Sequence, residues 1–449
     1  MLIATASCAM PPIEREMLAS RNEPVKLDGA RGTLTAAQSK AILDNMKARS
    51  PETAIFDRHL AVEEAIAGSP LSVGNKVTLL QDGPATYRAM FEQIAKARDS
   101  VHLEMYIVED DEIGEKFAEA LLAAKKRGAQ VNLMYDSVGS INTPPEFFKR
   151  LADGGIEVHE FNPVNPMKAK KGWELNERNH RKLLIVDGKV AFLGGINISG
   201  VYSAGSATLR RSNSGPQSNG RSWRDTQLQI EGPAVTELQK TFVEAWMKSA
   251  KEPPPLKNAY PQLKPEGKEV VRTLAGWGDH EVNPIYVTLI SAVKSADKSV
   301  HITMAYFVPD PVLLAALKEA TARGVDVTII LPSFTDFWAV FHAGRSHYTD
   351  LLEAGVKIYE RRERLLHSKT AVIDGVWSTV GSANFDWRSF THNHELNAVV
   401  LSPEFGAQME AMFQKDITNS DLITLEDWKR RPFENRMREA AARIWEYWL

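Results

Sequence analysis

His180-Arg181-Lys182-Leu183-Leu184-Ile185-Val186-Asp187 and His367-Ser368-Lys369-Thr370-Ala371-Val372-Ile373-Asp374 are two copies of one pattern. Past six intervening residues, each aspartate is followed by a second shared element, Gly194-Gly195-Ile196-Asn197 or Gly381-Ser382-Ala383-Asn384. Two histidines, two lysines and two asparagines in matched frames point to one phosphate site built from two halves. That is phosphodiester chemistry without a metal.

Strand periodicity places His180, Lys182 and Leu184 on one face, with Asp187 on the other. Asp187-Gly188 and Asp374-Gly375 are hairpin turn signals. Hairpins folded there lay Asn197 opposite His180 and Asn384 opposite His367. Asp187 and Asp374 are then turn residues outside the chemistry. Asp225 and Glu395 open the strands that follow, each placed to hold a histidine Nδ1–H and so to fix its tautomer.

The repeat extends beyond the motif. Val101-His102-Leu103-Glu104-Met105-Tyr106 matches Val300-His301-Ile302-Thr303-Met304-Ala305-Tyr306, and Arg127-Gly128 matches Arg323-Gly324. The first half carries an insert between Gly155 and His180 that holds Pro163, Pro166 and Lys168-Ala169-Lys170-Lys171. Each half reads β-α-β-α-β, with short apolar strands alternating with helical patterns such as Glu115 to Arg127, closed by Gly128. This alternation predicts an α/β fold: two duplicated lobes around a pseudo-two-fold axis, mainly parallel sheets sandwiched by helices, and the site at the lobe interface. The expected divisions are an N-terminal helical extension over 1–70, a first lobe over 71–250, a linker over 251–268 and a second lobe over 269–449. In the extension, Leu34 to Arg49 and Glu52 to Ala67 read as two helices, with Thr35 and Thr53 at their starts. Ser199 to Ser222, rich in Ser, Gly and Arg, reads as a mobile loop.

At 449 residues, 43% hydrophobic and 25% charged, the chain has the composition of an ordinary globular protein of two or three domains. A net charge of -3 gives no support to constitutive nucleic-acid binding. The single cysteine, Cys8, excludes an intramolecular disulfide and a cysteine-based metal site. The apolar, small-residue start ending at Cys8 is similar to the end of a bacterial lipoprotein signal, which would apply if a longer precursor exists; an incidental cysteine is the plainer reading. No run is apolar for long enough to span a membrane.

A phosphodiester is anionic and repels nucleophiles. Lys182, Lys369, Asn197 and Asn384 offset that charge and follow it into the transition state. One imidazole attacks phosphorus. The other protonates the leaving alcohol and then serves as base for the incoming hydroxyl. No cofactor is required. His180 and His367 could instead bind zinc, but Lys182 and Lys369 beside them would repel it. Tyr106 and Tyr306, at equivalent points of the two halves, are expected to contact substrate together with Ser382.

These residues resemble the phospholipase D superfamily, and more closely its bacterial cardiolipin synthase branch. His180 to Asn197 is similar to the first family motif. Trp223-Arg224-Asp225-Thr226 is similar to the segment that follows it, and Gly381 to Ser389 with Asn393 and Glu395 to the second motif and its tail. The resemblance covers roughly residues 75 to 449. It implies a phosphatidyltransferase that makes cardiolipin from phosphatidylglycerol or another phospholipid through a phosphatidyl-histidine. It also implies His180 as nucleophile and His367 as general acid/base. The same residues serve the alternative, a hydrolytic phospholipase D; a nuclease of the superfamily or a non-catalytic scaffold is less favoured. Gly195 departs from the pattern by replacing the serine seen at Ser382.

Without the two N-terminal membrane helices of many such synthases, the chain resembles the shorter, peripheral type, placed at the membrane of a bacterial cell envelope. Met437, Ala441, Ile444, Trp445 and Trp448 fall on one helical face among arginines, a pattern that reads as a terminal helix packed on the lobe or as one lying in a membrane interface. Arg210-Arg211 and Lys168 to Lys171 are further headgroup contacts to consider. Oligomeric state and acceptor alcohol stay open at this level.

Overall fold

The computed structural model describes residues 25–165, 174, 176–203, 222–278 and 282–444. Cys8, Lys168 to Lys171, Arg210-Arg211, Trp445 and Trp448 lie outside these residues.

The apolar motif strands are buried on both faces, and their side chains divide between two cores. Leu184 and Val186 enter a core with the helices Gly83–Lys96, Glu112–Lys126 and Pro145–Asp153. Leu183 and Ile185 point the other way, toward the helix Val235–Ala250. In the second lobe Ile373 and Ala371 join the helices Pro284–Ser295 and Pro311–Ala322, while Val372 faces Pro403–Thr418. The core between the two lobes collects Leu183, Leu228, Val271, Val372, Val380 and Phe405 from both.

The parallel part of each sheet has three strands, Ser100–Met105, Gln130–Asp136 and Glu157–Phe161 in the first lobe and Ser299–Met304, Asp326–Pro332 and Lys357–Arg361 in the second. The motif hairpins add to it antiparallel. The sheets are therefore mixed, with a smaller parallel share than the β-α-β reading implied. A hairpin turn returns the chain antiparallel, where only a helical crossover keeps it parallel. Strand Leu71–Leu80 also pairs with Glu269–Trp277, so the two lobes share one continuous sheet.

Both hairpins turn at their Asp-Gly pair, with Asp187 at φ 52° and Asp374 at φ 52°. Val186 faces Val190, Leu183 faces Leu193, and Ile373 faces Trp377. Continuing that register puts Ile196, not Asn197, opposite His180, one residue away from the expectation. Lys189 and Val376 each stand as an extra residue between turn and returning strand. Asp187 accepts from the backbone N–H groups of Arg98, Asp99 and Ser100. Asp374 accepts from those of Asp297, Lys298 and Ser299. Both aspartates anchor the turn to the neighbouring strand and stay out of the pocket.

The N-terminal segment is built into the second lobe. Leu27, Met46, Ile55, Phe56 and Leu60 share a core with Leu289, Val293 and Val300. Thr35 and Gln38 form a capping box at the start of Ala36–Arg49. The second predicted helix is split into Ile55–Arg58 and Leu60–Ile66, with buried His59 at the break facing Glu63 and Ser291. Linker residues fasten to the first lobe: Asn132 Nδ2 donates to the Pro255 carbonyl and Lys257 Nζ to that of Gly128. At the other end, Phe433–Arg443 packs on Trp338–Ser346 through Ala442 and Glu439 and leaves Phe433, Met437 and Ile444 exposed. Among the described residues no helix is long and apolar enough to cross a membrane.

Candidate active site

Each motif histidine is fastened to the opposite lobe. Arg178–Asn179 pairs in parallel with Asn393–His394, and the His180 N–H donates to the His394 carbonyl at 3.0 Å. Trp223–Arg224 pairs in parallel with Leu365–Leu366, and the His367 N–H donates to the Arg224 carbonyl at 2.8 Å. The residue after each of those carbonyls is a carboxylate, Glu395 or Asp225. His180 Nδ1 therefore donates to Glu395 at 3.0 and 3.1 Å, and His367 Nδ1 donates to Asp225 Oδ2 at 2.6 Å. The carboxylate expected beside each histidine is present, and it is supplied by the other lobe. Because a carboxylate only accepts, Nδ1 carries the hydrogen and Nε2 is left with its lone pair.

The two carboxylates differ in length, and their neighbours differ to match. Ser382 Oγ donates to Glu395 Oε2. At the equivalent point of the first lobe, a Cβ on Gly195 would stand 2.2 Å from Asp225 Oδ1. The shorter aspartate sits where a serine side chain would go, which explains the glycine. Ser382 was expected to touch substrate; instead it is fully buried behind Glu395 and positions that carboxylate.

Both histidines open onto one pocket of about 430 Å³, also lined by Tyr106, Asn197, Trp223, Tyr306 and Asn384. Lys182 and Lys369 do not line it: each is 1% exposed and donates to the carbonyl of the motif histidine two residues before it, His180 or His367. Tyr106 stands edge-on to His180 at 4.8 Å and under the Lys182 ammonium at 5.1 Å. Tyr306 is edge-on to His367 at 6.4 Å, and its hydroxyl donates to Asp336 Oδ1 at 2.6 Å. Asn197 accepts from Ile107 N–H and donates to the Tyr202 hydroxyl, which lies 3.3 Å from His367 Nδ1. Asn384 keeps a buried Oδ1 without a partner among the described residues at the pocket wall. Among the described residues no group of three or more His, Cys, Asp or Glu is placed to hold a metal ion.

Burial dominates the electrostatics. It takes His180 down to about 4, opposed by Glu395. His367 falls well below the ordinary imidazole range through burial, then Lys369, Lys182 and His180. Burial alone would raise Glu395, but the charge and hydrogen bond of His180, followed by Lys182, bring it to about 2. Burial pushes Asp225 up to about 6 against Lys369. The opposed shifts of Asp225 and His367 share one cause: burial disfavours their charged pair. Lys369 is lowered to about 8 and Lys182 well below the usual lysine range, again chiefly by burial. A phosphate anion seated there would favour the charged forms of the imidazoles and ammoniums, and by like-charge repulsion would push Asp225 further up.

Arg178, Tyr202 and Asp336 also belong to the site and were not singled out from the sequence, and Asp386 and Arg388, which lie in the second motif, join it too. Arg178 carried a readable signal, since two residues before His180 on a strand means the same face. Asp386 caps the short helix Trp387–Thr391 at Ser389, and burial pushes it up to about 7.

The profile described as cardiolipin synthase, PLD-like domain matches residues 90–203 and 289–417, one stretch in each lobe. A cardiolipin synthase from Geobacillus sp. (strain WCH70) is 36% identical over 391 residues, 86% of this chain and 74% of that protein. Cardiolipin synthase A of Pseudomonas putida is 35% identical over 362 residues, 80% of this chain and 71% of that one. Phosphatidylserine synthase of Haemophilus influenzae Rd KW20 shares the fold, with a TM-score of 0.63 at 13% identity over 86% of this chain and 99% of its own. With both halves of the pocket matched, the chain belongs to the cardiolipin synthase family of phospholipase D-like proteins.

Proposed function

We propose that this phospholipase D-type phosphatidyltransferase moves a phosphatidyl group between two phosphatidylglycerol molecules, giving cardiolipin and glycerol. The observation that carries this reading is the crossed pairing of His180 with Glu395 and His367 with Asp225 over two buried lysines. His180 Nε2 attacks phosphorus as the bond to the headgroup glycerol breaks, and imidazolium His367 gives its proton to the departing oxygen. His367 then takes the proton of the incoming lipid hydroxyl. That oxygen bonds to phosphorus, and the bond to His180 breaks. Lys182, Lys369, Asn197 and Asn384 hold the charge that gathers on the non-bridging oxygens.

The partner surface in this reading is a bilayer. Ile141 and Phe337 are exposed at the pocket mouth, one from each lobe, with Trp338 beside them. Phe433, Met437 and Ile444 extend the apolar surface along the helix packed on Trp338–Ser346. Large apolar groups at such a rim, with arginines around them, suit the headgroup region of a membrane. We place the protein peripherally at the bacterial envelope membrane on that basis.

Incubation with phosphatidylglycerol tests the reaction. Cardiolipin with equimolar glycerol is the expected product pair. Phosphatidic acid alone would make the protein a hydrolase.

A further inference from the structure

The pocket lining holds charged groups that the reaction above does not use, the carboxylates Asp336 and Asp386 among them. A phosphodiester carries a single negative charge, which the proposed reaction sets against Lys182 and Lys369. Two further cations, Arg178 and Arg388, line the same pocket. Arg178 is 2% exposed. Its Nη1 meets Ser137 Oγ at 3.2 Å, the Asn162 carbonyl at 3.1 Å and Asp136 Oδ1 at 3.6 Å. Its Nε and Nη2 have no partner among the described residues. A buried guanidinium with unused donors is costly unless something accepts from it. Arg388 reaches from the second lobe to Asn176, donating to its side-chain oxygen at 2.8 Å and its carbonyl at 3.0 Å. No described carboxylate forms an ion pair with it. On the opposite wall, beside His367, stand Tyr306 and Asp336, which suit hydroxyl groups.

We propose that Arg178 and Arg388 form a second anion subsite, which holds the phosphodiester of the acceptor lipid while the first phosphate is bound between the histidines. This rests on the transferase reading above and adds how the acceptor is chosen. An acceptor phosphatidylglycerol lies across the pocket mouth. Its terminal hydroxyl reaches His367 and Asp336, and its phosphate, three carbons away, meets the guanidinium groups. Arginine suits this task because its fork donates two parallel bonds to a phosphate. Water and free glycerol have no phosphate to bind there, so the subsite favours transfer to an anionic lipid over hydrolysis.

The test uses the full chain with phosphatidylglycerol vesicles and deuterated glycerol. Cardiolipin formation reports an anionic acceptor. Exchange of deuterated glycerol into phosphatidylglycerol reports a neutral acceptor through the same phosphatidyl-enzyme. Arg388→Gln is expected to lower cardiolipin formation by about tenfold or more, the loss of one charged hydrogen-bond pair. Glycerol exchange should fall far less, and phosphatidic acid should rise as a share of product. Arg178→Gln should act in the same direction, with thermal unfolding checked because Arg178 is buried. An equal fall in both reactions, or unchanged cardiolipin formation in Arg388→Gln, overturns the subsite. A wild-type protein that exchanges glycerol but makes no cardiolipin overturns the choice of acceptor, and one that does neither overturns the proposed function itself.

Discussion

Glu395 of the second lobe accepts the Nδ1–H of His180 in the first, and Asp225 of the first lobe accepts that of His367 in the second, so each motif histidine takes its carboxylate from the other lobe. The active unit is the lobe junction. The parallel pairings of Arg178–Asn179 with Asn393–His394 and of Trp223–Arg224 with Leu365–Leu366 set that geometry through the backbone.

Glu395→Gln and Asp225→Asn keep the shape of these pairs and remove the charge that stabilises imidazolium. Each is expected to lower kcat by about 10²–10⁴ with little change in folding. Gly195→Ser should act on the same pair from behind, because its Cβ would push Asp225 off His367. Steady-state cardiolipin formation checks all three. A Gly195→Ser enzyme with wild-type kcat would contradict the packing account.

Asp374 gives stability rather than chemistry. It accepts three backbone N–H groups and ties the second hairpin to strand Ser299–Met304. Asp374→Ala is expected to cost about 2 kcal/mol or more in denaturant unfolding. The kcat of the protein that remains folded should stay near wild type.

Much of this was legible in the sequence, and the divisions have physical reasons. The motif, the Asp-Gly turns and the need for carboxylates at Asp225 and Glu395 follow from local spacing. Their crossing does not, because His180 and Glu395 meet only through pairing between lobes. The register error at Asn197 came from the turn's centre, which lies on Gly188 in a three-residue loop from Asp187 to Lys189, half a residue before the centre that would set Asn197 opposite His180. The N-terminal segment reads as a helical extension because Met46, Phe56 and Leu60 show apolar faces without naming the core that receives them. Tyr202 and Asp336 carry no pattern of their own and join the pocket only through position, whereas Arg388 lay inside the second motif without a role assigned to it.

Lys369 gives a pH dependence with a definite sign. Its folded value is about 8, below the ordinary lysine value near 10.5, so the unfolded chain binds more protons between those limits. Stability contributed by this group therefore rises with pH from 8 toward 10, by up to about 1.4 kcal/mol per pH unit. Lys369→Met should flatten that rise in urea unfolding at pH 8, 9 and 10. Parallel profiles for the two proteins would contradict the buried-ammonium assignment.

The proposed membrane docking rests on side chains outside the chemistry. Fully burying a large apolar side chain is worth about 1.5–3 kcal/mol. Replacing Trp338 and Phe433 together by serine should weaken vesicle binding by about tenfold or more in flotation assays. Turnover of a soluble short-chain donor should change far less.

In the proposed mechanism the lysines and an imidazolium supply the positive charge, so EDTA should leave the rate unchanged.

The most direct test of a shared phosphate site is to trap its intermediate. His367→Ala is given a phosphatidyl ester with a good leaving group, one that departs without a proton, and the quenched protein is mapped by mass spectrometry. The account predicts a phosphatidyl adduct on the peptide that contains His180, stable because no base remains to activate the acceptor. Full turnover by His367→Ala, or an adduct on any residue other than His180, would contradict it.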